Sequence, residues 1–299
     1  MWFNPTCRLA PIVFALALLF PAGNSAAQEA GVIEGLQIPA WIERAGTRAP
    51  LKAGTLLENG DTIHTGKGGR ILLRLAEGSQ VKLGENAEFH LRELKRPQQP
   101  GGAFRGFLEV LKGAFRYTTS LLSQRHRRQL DIRIATVTAG IRGTDIWGKA
   151  SDEKDIVCLI EGEVTVARGE DAPLTLSDPL TFYIAPRGKP PLPVGPVDAD
   201  QLARWAAQTE LERGAGVLMP DGRWRVTLAS FKTRQRAAVS LRKLHVAGYP
   251  VETHEIELQG TTWHRVSVTG FAALTDARAF VTAIDGRHGV SEAWITRTR

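Results

Sequence analysis

Two tryptophans and two arginines in the last 80 residues have a spacing that could bind a carbohydrate. Trp263 and Arg265 lie two residues apart, and Arg225 and Trp294 belong to two other strand-like segments. Tryptophan rings stack on the apolar C–H faces of sugars, whereas arginine, serine and threonine match their hydroxyl and carboxylate edges. These side chains can act together only on one uncovered surface, where an exposed aromatic patch marks a binding site.

A repeated strand pattern predicts such a surface. Residues 225–231 (RVTLASF) recur 40 residues later as 265–271 (RVSVTGF), and an Ala-rich stretch with helical spacing follows each copy. Alternate residues of a half-buried strand face the core. The pattern places Val226, Leu228, Val266 and Val268 inside, and Arg225, Thr227, Trp263, Arg265 and Ser267 outside. A last strand near 291–297 buries Ala293 and Ile295 and turns Trp294 outwards.

Two helices and one more strand complete this unit. The first helix is predicted over 233–247, with Gly248 ending it, and the second begins at a Thr275 cap. Their inward-facing residues are Ala237, Leu241, Leu244, Phe280, Val281 and Ile284. With a strand over 251–256, the order is β-α-β-β-α-β. This order predicts an α+β unit whose four-stranded antiparallel sheet has two helices on one face and an open opposite face.

The N-terminus has the features of a secretory signal peptide. Arg8 is the only charge in the first 27 residues, 9–20 is an apolar run, and small residues Ser25 and Ala27 precede a cut before Gln28. The alternative is an uncleaved anchor, but the run is shorter than the roughly 18–20 residues that span a bilayer. Cleavage would leave Cys158 as the only cysteine, which its apolar surroundings indicate is an inert core residue.

Residues 46–184 have an all-β pattern. Short apolar segments alternate with glycine turns, which predicts a sandwich, roll or short solenoid. The candidate strands are 71–75, 81–83, 89–91, 108–111 and 156–160. Five prolines over 186–196 predict an extended linker, and 198–213 has helical periodicity. The predicted organisation is a signal peptide (1–27), an all-β domain (28–185), a linker with a helix (186–216) and an α+β domain (217–299).

Charge is concentrated in the C-terminal unit. Residues 221–299 have twelve Lys/Arg and seven Asp/Glu, a net of +5 out of the chain's +7. This excess indicates a polar or anionic partner. RNA-binding domains also place aromatics on an open sheet of this outline, but export argues against a nucleic acid.

Residues 225–297 resemble the SPOR (sporulation-related repeat) domain. The matching segments are the strand 226–231, the helix exit at Leu244, Gly248 and Tyr249, and 263–266 leading to Gly270 and Phe271. The resemblance implies binding of peptidoglycan, with a preference for glycan strands stripped of stem peptides, on the open sheet face. By position it assigns glycan contacts to Thr227, Ser230, Trp263, Arg265 and Trp294. Family members usually have glutamine where this chain has Thr227.

Residues 54–166 resemble the FecR domain. The resemblance rests on a series of turns at 51–54, 58–61, 65–66, 77–79, 139–144 and 161–164. The family's founding members relay iron-siderophore signals to a sigma factor and carry a cytoplasmic segment before a membrane helix. This chain begins with a signal peptide instead, so the resemblance implies an all-β periplasmic module that binds an unknown protein.

Catalytic motifs and metal-ligand spacings are not evident in the sequence. The seven histidines lack metal-ligand spacing, and there is no Gly-x-Ser-x-Gly elbow or phosphate loop. The basic run 124–128 is typical of a solvated loop. The sequence therefore predicts a non-catalytic periplasmic protein without a cofactor that binds peptidoglycan. Two alternatives remain: a signalling adaptor that binds a receptor or membrane regulator, and an accessory of a wall hydrolase.

Overall fold

The computed structural model describes Met1 and residues 29–97, 99, 102–119 and 128–298. The predicted signal peptide and most of the basic run 124–128 lie outside these residues. In the described part, no helix is long and apolar enough to cross a membrane. The first strands are β1 (Glu29–Gln37), β2 (Ala40–Arg44), β3 (Thr47–Pro50), β4 (Leu56–Glu58), β5 (Thr62–Thr65), β6 (Arg70–Leu75), β7 (Gln80–Leu83), β8 (Glu88–Lys95), β9 (Phe104–Thr118), β10 (Arg128–Ile134) and β11 (Val137–Ile141).

The remaining elements include the three helices of the described chain. They are β12 (Asp145–Ala150), β13 (Lys154–Glu161), β14 (Val164–Arg168), β15 (Leu174–Leu176), β16 (Thr181–Pro186), β17 (Gly195–Pro196), α1 (Ala199–Ala207), β18 (Val217–Leu218), β19 (Trp224–Phe231), α2 (Arg234–Val246), β20 (Glu252–Leu258), β21 (Thr261–Phe271), α3 (Leu274–Ile284) and β22 (Trp294–Arg297).

The N-terminal unit consists of two sheets that share the long strand β9. The first sheet has the order β1-β6-β7-β9-β12-β13-β16-β17, and the second has the order β3-β2-β5-β8-β9-β10-β11-β14-β15. The strand changes sheets at Gly113, which has a φ of +90°. A side chain there would meet the backbone of Ala87, since an added Cβ would lie 2.6 Å from its Cα. Side chains from both sheets form one buried core, which confirms the all-β prediction.

The Pro-rich segment and α1 cover the outer face of the first sheet. Residues 195–196 pair with β16, and Arg187 makes two 2.9 Å hydrogen bonds to the fully buried carboxylate of Asp155. The helix ends six residues before the predicted Arg213. Its continuation instead lies along the sheet, where the Glu210 carboxylate accepts hydrogen bonds from Lys82 Nζ at 2.6 and 2.7 Å.

The C-terminal unit has the predicted β-α-β-β-α-β order. Its antiparallel sheet runs β22-β19-β21-β20, and α2 and α3 bury their apolar residues against one face. Thr275 does not cap α3 as predicted, because the helix begins at Leu274 with Ala273 in the N-cap position. The buried Asp276 carboxylate instead accepts backbone N–H groups of residues 214, 216 and 217.

The two units are joined by strand pairing and side-chain contacts. The short strand β18 pairs with β1 on one side and with β21 on the other. The Trp41 indole donates to the Val246 carbonyl at 3.2 Å, and the Ala40 amide donates to the Gly248 carbonyl at 3.3 Å. Gly248 has a φ of +84°, and an added Cβ would lie 2.6 Å from the Trp41 ring. These contacts fix the direction in which the C-terminal sheet faces.

Candidate functional site

The candidate site is the face of the C-terminal sheet opposite α2 and α3, which we call the open face. The described helix α1 packs on the first sheet of the N-terminal unit instead. Strand register places on the open face Arg225, Thr227, Ser230, His254, Trp263, Arg265, Ser267 and Trp294. The face thus includes every residue predicted to contact a glycan.

A β-bulge brings Thr227 and Ser230 to the same face. In a regular strand, residues three apart point to opposite faces. Here Thr227 pairs with Ser267, but Ala229 pairs with Val266 and Ser230 with Arg265, so Leu228 is the extra residue. Bulges re-aim side chains in this way. Strict alternation could not have placed Ser230 outwards; its position came only from the family resemblance.

Each tryptophan of the open face lies beneath a cation. Lys232 Nζ is 5.5 Å from the centre of the Trp263 ring, and Arg265 Cζ is 5.3 Å from that of Trp294. Both distances fall within the range of cation–π attraction. Ala293 and Ile295 pack against the core on the opposite side, so Trp294 points outwards as the alternation predicted.

The hydroxyl groups beneath these side chains are buried, unlike the prediction. Thr227 and Ser267 are each 1% exposed, and their hydroxyls lie 3.2 Å apart within hydrogen-bonding distance. The physical reason is the contact between Arg265 on β21 and Trp294 on β22, which passes over the intervening strand β19. Thr227 is therefore part of the floor of the open face.

The two arginines of the open face lack acidic partners. Among the described residues, neither Arg225 nor Arg265 forms an ion pair, and the Nε atom of each is buried without a hydrogen-bond partner. The carboxylate of Glu255, on the neighbouring strand β20, lies 3.3 Å from His264 Nδ1. Strand register explains this, because Glu255 pairs with His264 on the helix-covered face.

His254 is a site residue that the sequence reasoning did not include. It pairs with Arg265 across β20 and β21. Burial lowers the pKa of His254, and the positive charges of Arg225 and Arg265 lower it further, against the opposing charge of Glu252. The alternation of Glu252, His254 and Ile256 was visible in the sequence, but the partner strand and register were not.

An ion pair from the N-terminal unit engages the acidic residue at the edge of this face. Of the described positions in the four strands, Glu252 is the acidic residue whose register places it on the open face. Its carboxylate lies 2.5 Å from Lys52 Nζ. Both side chains are about half exposed, so the pair adds little stability. The pair nevertheless engages the Glu252 carboxylate with a cation of the N-terminal unit. The open face is therefore left with unpaired positive charge.

This arrangement is suited to binding an extended polar ligand. It combines aromatic surfaces for stacking with arginine donors for anionic or hydroxyl groups. The charged groups that alter the His254 pKa are Arg225, Arg265 and Glu252. Among the described residues, no group of three His, Cys, Asp or Glu side chains could hold a metal ion.

Comparison with known proteins identifies two domain families in the chain. The model of the FecR protein family matches residues 61–165, and the SPOR domain model matches residues 220–297. Both are non-catalytic domain families. No curated protein matches the chain.

Two solved structures are also similar, both of a candidate anti-sigma factor from Parabacteroides distasonis ATCC 8503. The 1.65 Å structure is 17% identical with a TM-score of 0.40, and the similarity covers 48% of this chain and 64% of that one. The 2.50 Å structure is 14% identical with a TM-score of 0.40, covering 80% and 98%. The chain thus spans 64% of the first structure's length. From the family matches, this chain contains a FecR domain followed by a C-terminal SPOR domain.

Proposed function

We propose that this protein is a non-catalytic periplasmic protein that binds the glycan strands of peptidoglycan through the open face of its SPOR domain. The observation that supports this most strongly is that two outward tryptophans share one face with two arginines that form no ion pair among the described residues. A folded protein rarely leaves buried donors unpaired, and a polysaccharide supplies both ring faces and polar edges.

The test is co-sedimentation of the full-length protein with purified peptidoglycan sacculi. The variant Trp263→Ala/Arg265→Ala removes one stacking surface and one donor group without touching the core. We expect its binding to fall about tenfold or more, as for central hot-spot residues. The matched control is Arg234→Ala/Arg242→Ala, which removes exposed arginines from α2 on the opposite side.

The thermal midpoints of the two double variants should agree. If both fold and both bind sacculi like the wild type, the open face is not the binding site.

We further propose that the FecR domain binds a protein partner through the outer face of its second sheet. The first sheet is covered by 186–213, whereas no described helix packs on the centre of the second. That face carries a row of alternating charges, in which Glu109 contacts Arg92 and lies 3.6 Å from Arg133, and His90 lies 3.1 Å from Glu88.

A photo-crosslinking amino acid at Arg92, which is 51% exposed, tests this surface in the native cell envelope. We expect a discrete adduct that is absent when the same group replaces Arg242 on α2. Identical adduct patterns from both positions would contradict a specific partner surface on the FecR domain.

A further inference from the structure

We infer that Arg225 and Arg265 form a subsite that binds a carboxylate group of the ligand. The inference rests on the proposed function, because it specifies which chemical group of peptidoglycan the open face recognises. It assigns a carboxylate-binding role to Arg225, which the family resemblance did not place among the glycan contacts.

The two arginines lie on the same face of two adjacent strands. On β21, Arg265, Ser267 and Thr269 point to the same face, and Arg225 pairs with Thr269 from the neighbouring strand. Ser267 between them is small and 1% exposed. Its hydroxyl lies within hydrogen-bonding distance of Thr227, so the floor is polar but internally satisfied.

Neither guanidinium forms an ion pair among the described residues, and Arg265 packs on the Trp294 ring. A guanidinium group has five N–H donors in a planar fork that matches the two oxygens of a carboxylate. The Nε atoms of Arg225 and Arg265 are both buried and lack hydrogen-bond partners. The nearest acidic group of the open face, Glu252, is engaged by Lys52 from the FecR domain.

The surroundings favour an anion over a neutral group. Strand register places Arg225, Arg265 and His254 on the same face, and both arginines lower the pKa of His254. Trp294 lies next to these residues, because it pairs with Thr227 on the neighbouring strand and its ring lies beneath Arg265. A neutral sugar hydroxyl would leave this charge uncompensated, whereas a carboxylate would satisfy it with charge-assisted hydrogen bonds.

Peptidoglycan offers this group from two sources. The lactyl group of muramic acid becomes a free carboxylate when an amidase hydrolyses the amide bond to the stem peptide, because water supplies the hydroxyl of the acid and the proton of the released amine. The stem peptides themselves also end in carboxylates. Both sources present the same planar anion, and the ligand arms below distinguish them.

The experiment measures binding of the full-length protein to four soluble ligands. They are amidase-stripped glycan chains, the same chains with their carboxylates converted to methylamides, chains with intact stem peptides, and neutral chitin oligosaccharides of similar length. We expect stripped chains to bind about tenfold or more tightly than their methylamide form, as charge-assisted bonds require. Tight binding of the intact chains, with weak binding of the stripped chains and of the chitin oligosaccharides, would assign the carboxylate to the stem peptide.

Variants of each arginine link this preference to the subsite. Arg225→Gln should reduce the preference for free carboxylate to about twofold or less while retaining binding to the neutral chitin oligosaccharide. Arg225→Lys should restore part of the preference, because lysine keeps the positive charge but lacks the planar set of N–H donors of a guanidinium group. Arg242→Gln on α2 is the control and should preserve the full preference.

The outcomes separate the two proposals. Equal binding of all four ligands by the wild type would overturn the carboxylate subsite and leave glycan binding intact. Binding of none of them would overturn both. An unchanged carboxylate preference in folded Arg225→Gln and Arg265→Gln would also refute the subsite.

Discussion

Two sheet faces in the described part of the chain present tryptophan side chains, and the chain covers one of these faces but not the other. On the FecR domain, Trp147 of β12 stacks on Trp205 of α1 with ring centres 4.7 Å apart and planes within 1°. On the SPOR domain, Trp263 and Trp294 face outwards beneath cations. Tryptophans therefore pack within the protein on one sheet and, as we propose, bind a ligand on the other.

The ion pairs differ in the same way. Beside the covered tryptophans, Lys82 pairs with Glu210, and Arg116 makes hydrogen bonds of 2.9 and 2.7 Å to Asp145. The hydrogen bond to Asp145 is the main reason that the pKa of Arg116 is raised. On the open face, Arg225 and Arg265 have no such partner among the described residues. On the covered face, charged side chains pair with other residues of the chain. On the open face, the two arginines do not, and we propose that a ligand supplies their partner.

Removing Trp205 should break the covered face and have the largest effect on stability. Trp205→Ala deletes the ring that stacks on the fully buried Trp147 and contacts Phe182 edge-on. We expect the free energy of unfolding to fall by about 2–4 kcal/mol, somewhat less than the about 3–5 kcal/mol for a fully buried aromatic side chain, because Trp205 is only partly buried. Urea unfolding followed by far-UV circular dichroism measures this change.

Cys158 provides an independent probe of the same cover. Its thiol is buried beside Trp147, and burial is the main cause that raises its pKa to about 12. The thiolate is thus about a thousandfold scarcer at neutral pH than for an ordinary thiol. In a Cys7→Ser background, maleimide labelling of Cys158 should be very slow and should accelerate in Trp205→Ala. Rapid labelling of the otherwise unaltered protein would show that the face is not closed.

The matching substitution on the open face should leave stability nearly unchanged and weaken ligand binding. Trp294→Ala is expected to change the free energy of unfolding by less than about 1 kcal/mol, as for most surface positions, and to leave Cys158 protected. It should nevertheless weaken sacculus binding, because it removes a stacking surface and the ring beneath Arg265. If Trp294→Ala destabilised the protein as much as Trp205→Ala, the contrast between the faces would fail.

Local pattern was sufficient to predict the SPOR fold and most of the open face. Alternation placed Val226 and Val268 inside and Trp263, Arg265 and Trp294 outside. Of the residues predicted to face inwards from the helices, four are buried and two, Leu241 and Val281, are partly buried against the core. These predictions succeed because a half-buried strand and an amphipathic helix encode their faces in consecutive residues.

Features that depend on distant partners were missed. The bulge at Leu228 arises from pairing with β21, and burial of Thr227 arises from an Arg265–Trp294 contact across a third strand. The Pro-rich segment was expected to be a linker because its composition gives no sign of the first sheet against which it packs. His254 became a site residue only through register with Arg265.

The smallest expected effect is a change in how the free energy of unfolding depends on pH, and it arises from His254 on the open face. Burial, with the charges of Arg225 and Arg265, lowers the pKa of His254 in the folded protein, so the unfolded chain takes up the proton at higher pH. This histidine therefore costs no stability above its unfolded pKa of about 6.5 and destabilises the fold as pH falls below that value. His254→Gln removes the penalty. Between about pH 7.5 and 5.5, urea unfolding should show a smaller loss of stability in His254→Gln than in the wild type.

A bound carboxylate should reverse the direction of this effect for ligand binding. Its negative charge would offset the two arginines and raise the pKa of His254, so binding would be coupled to proton uptake. Affinity for stripped glycan should then increase as pH falls in the wild type and remain flatter in His254→Gln. The neutral chitin oligosaccharide should show no such difference. Because the covered face has no ligand to supply this charge, a pH-dependent affinity confined to carboxylated glycan would identify the open face as the site that the ligand completes.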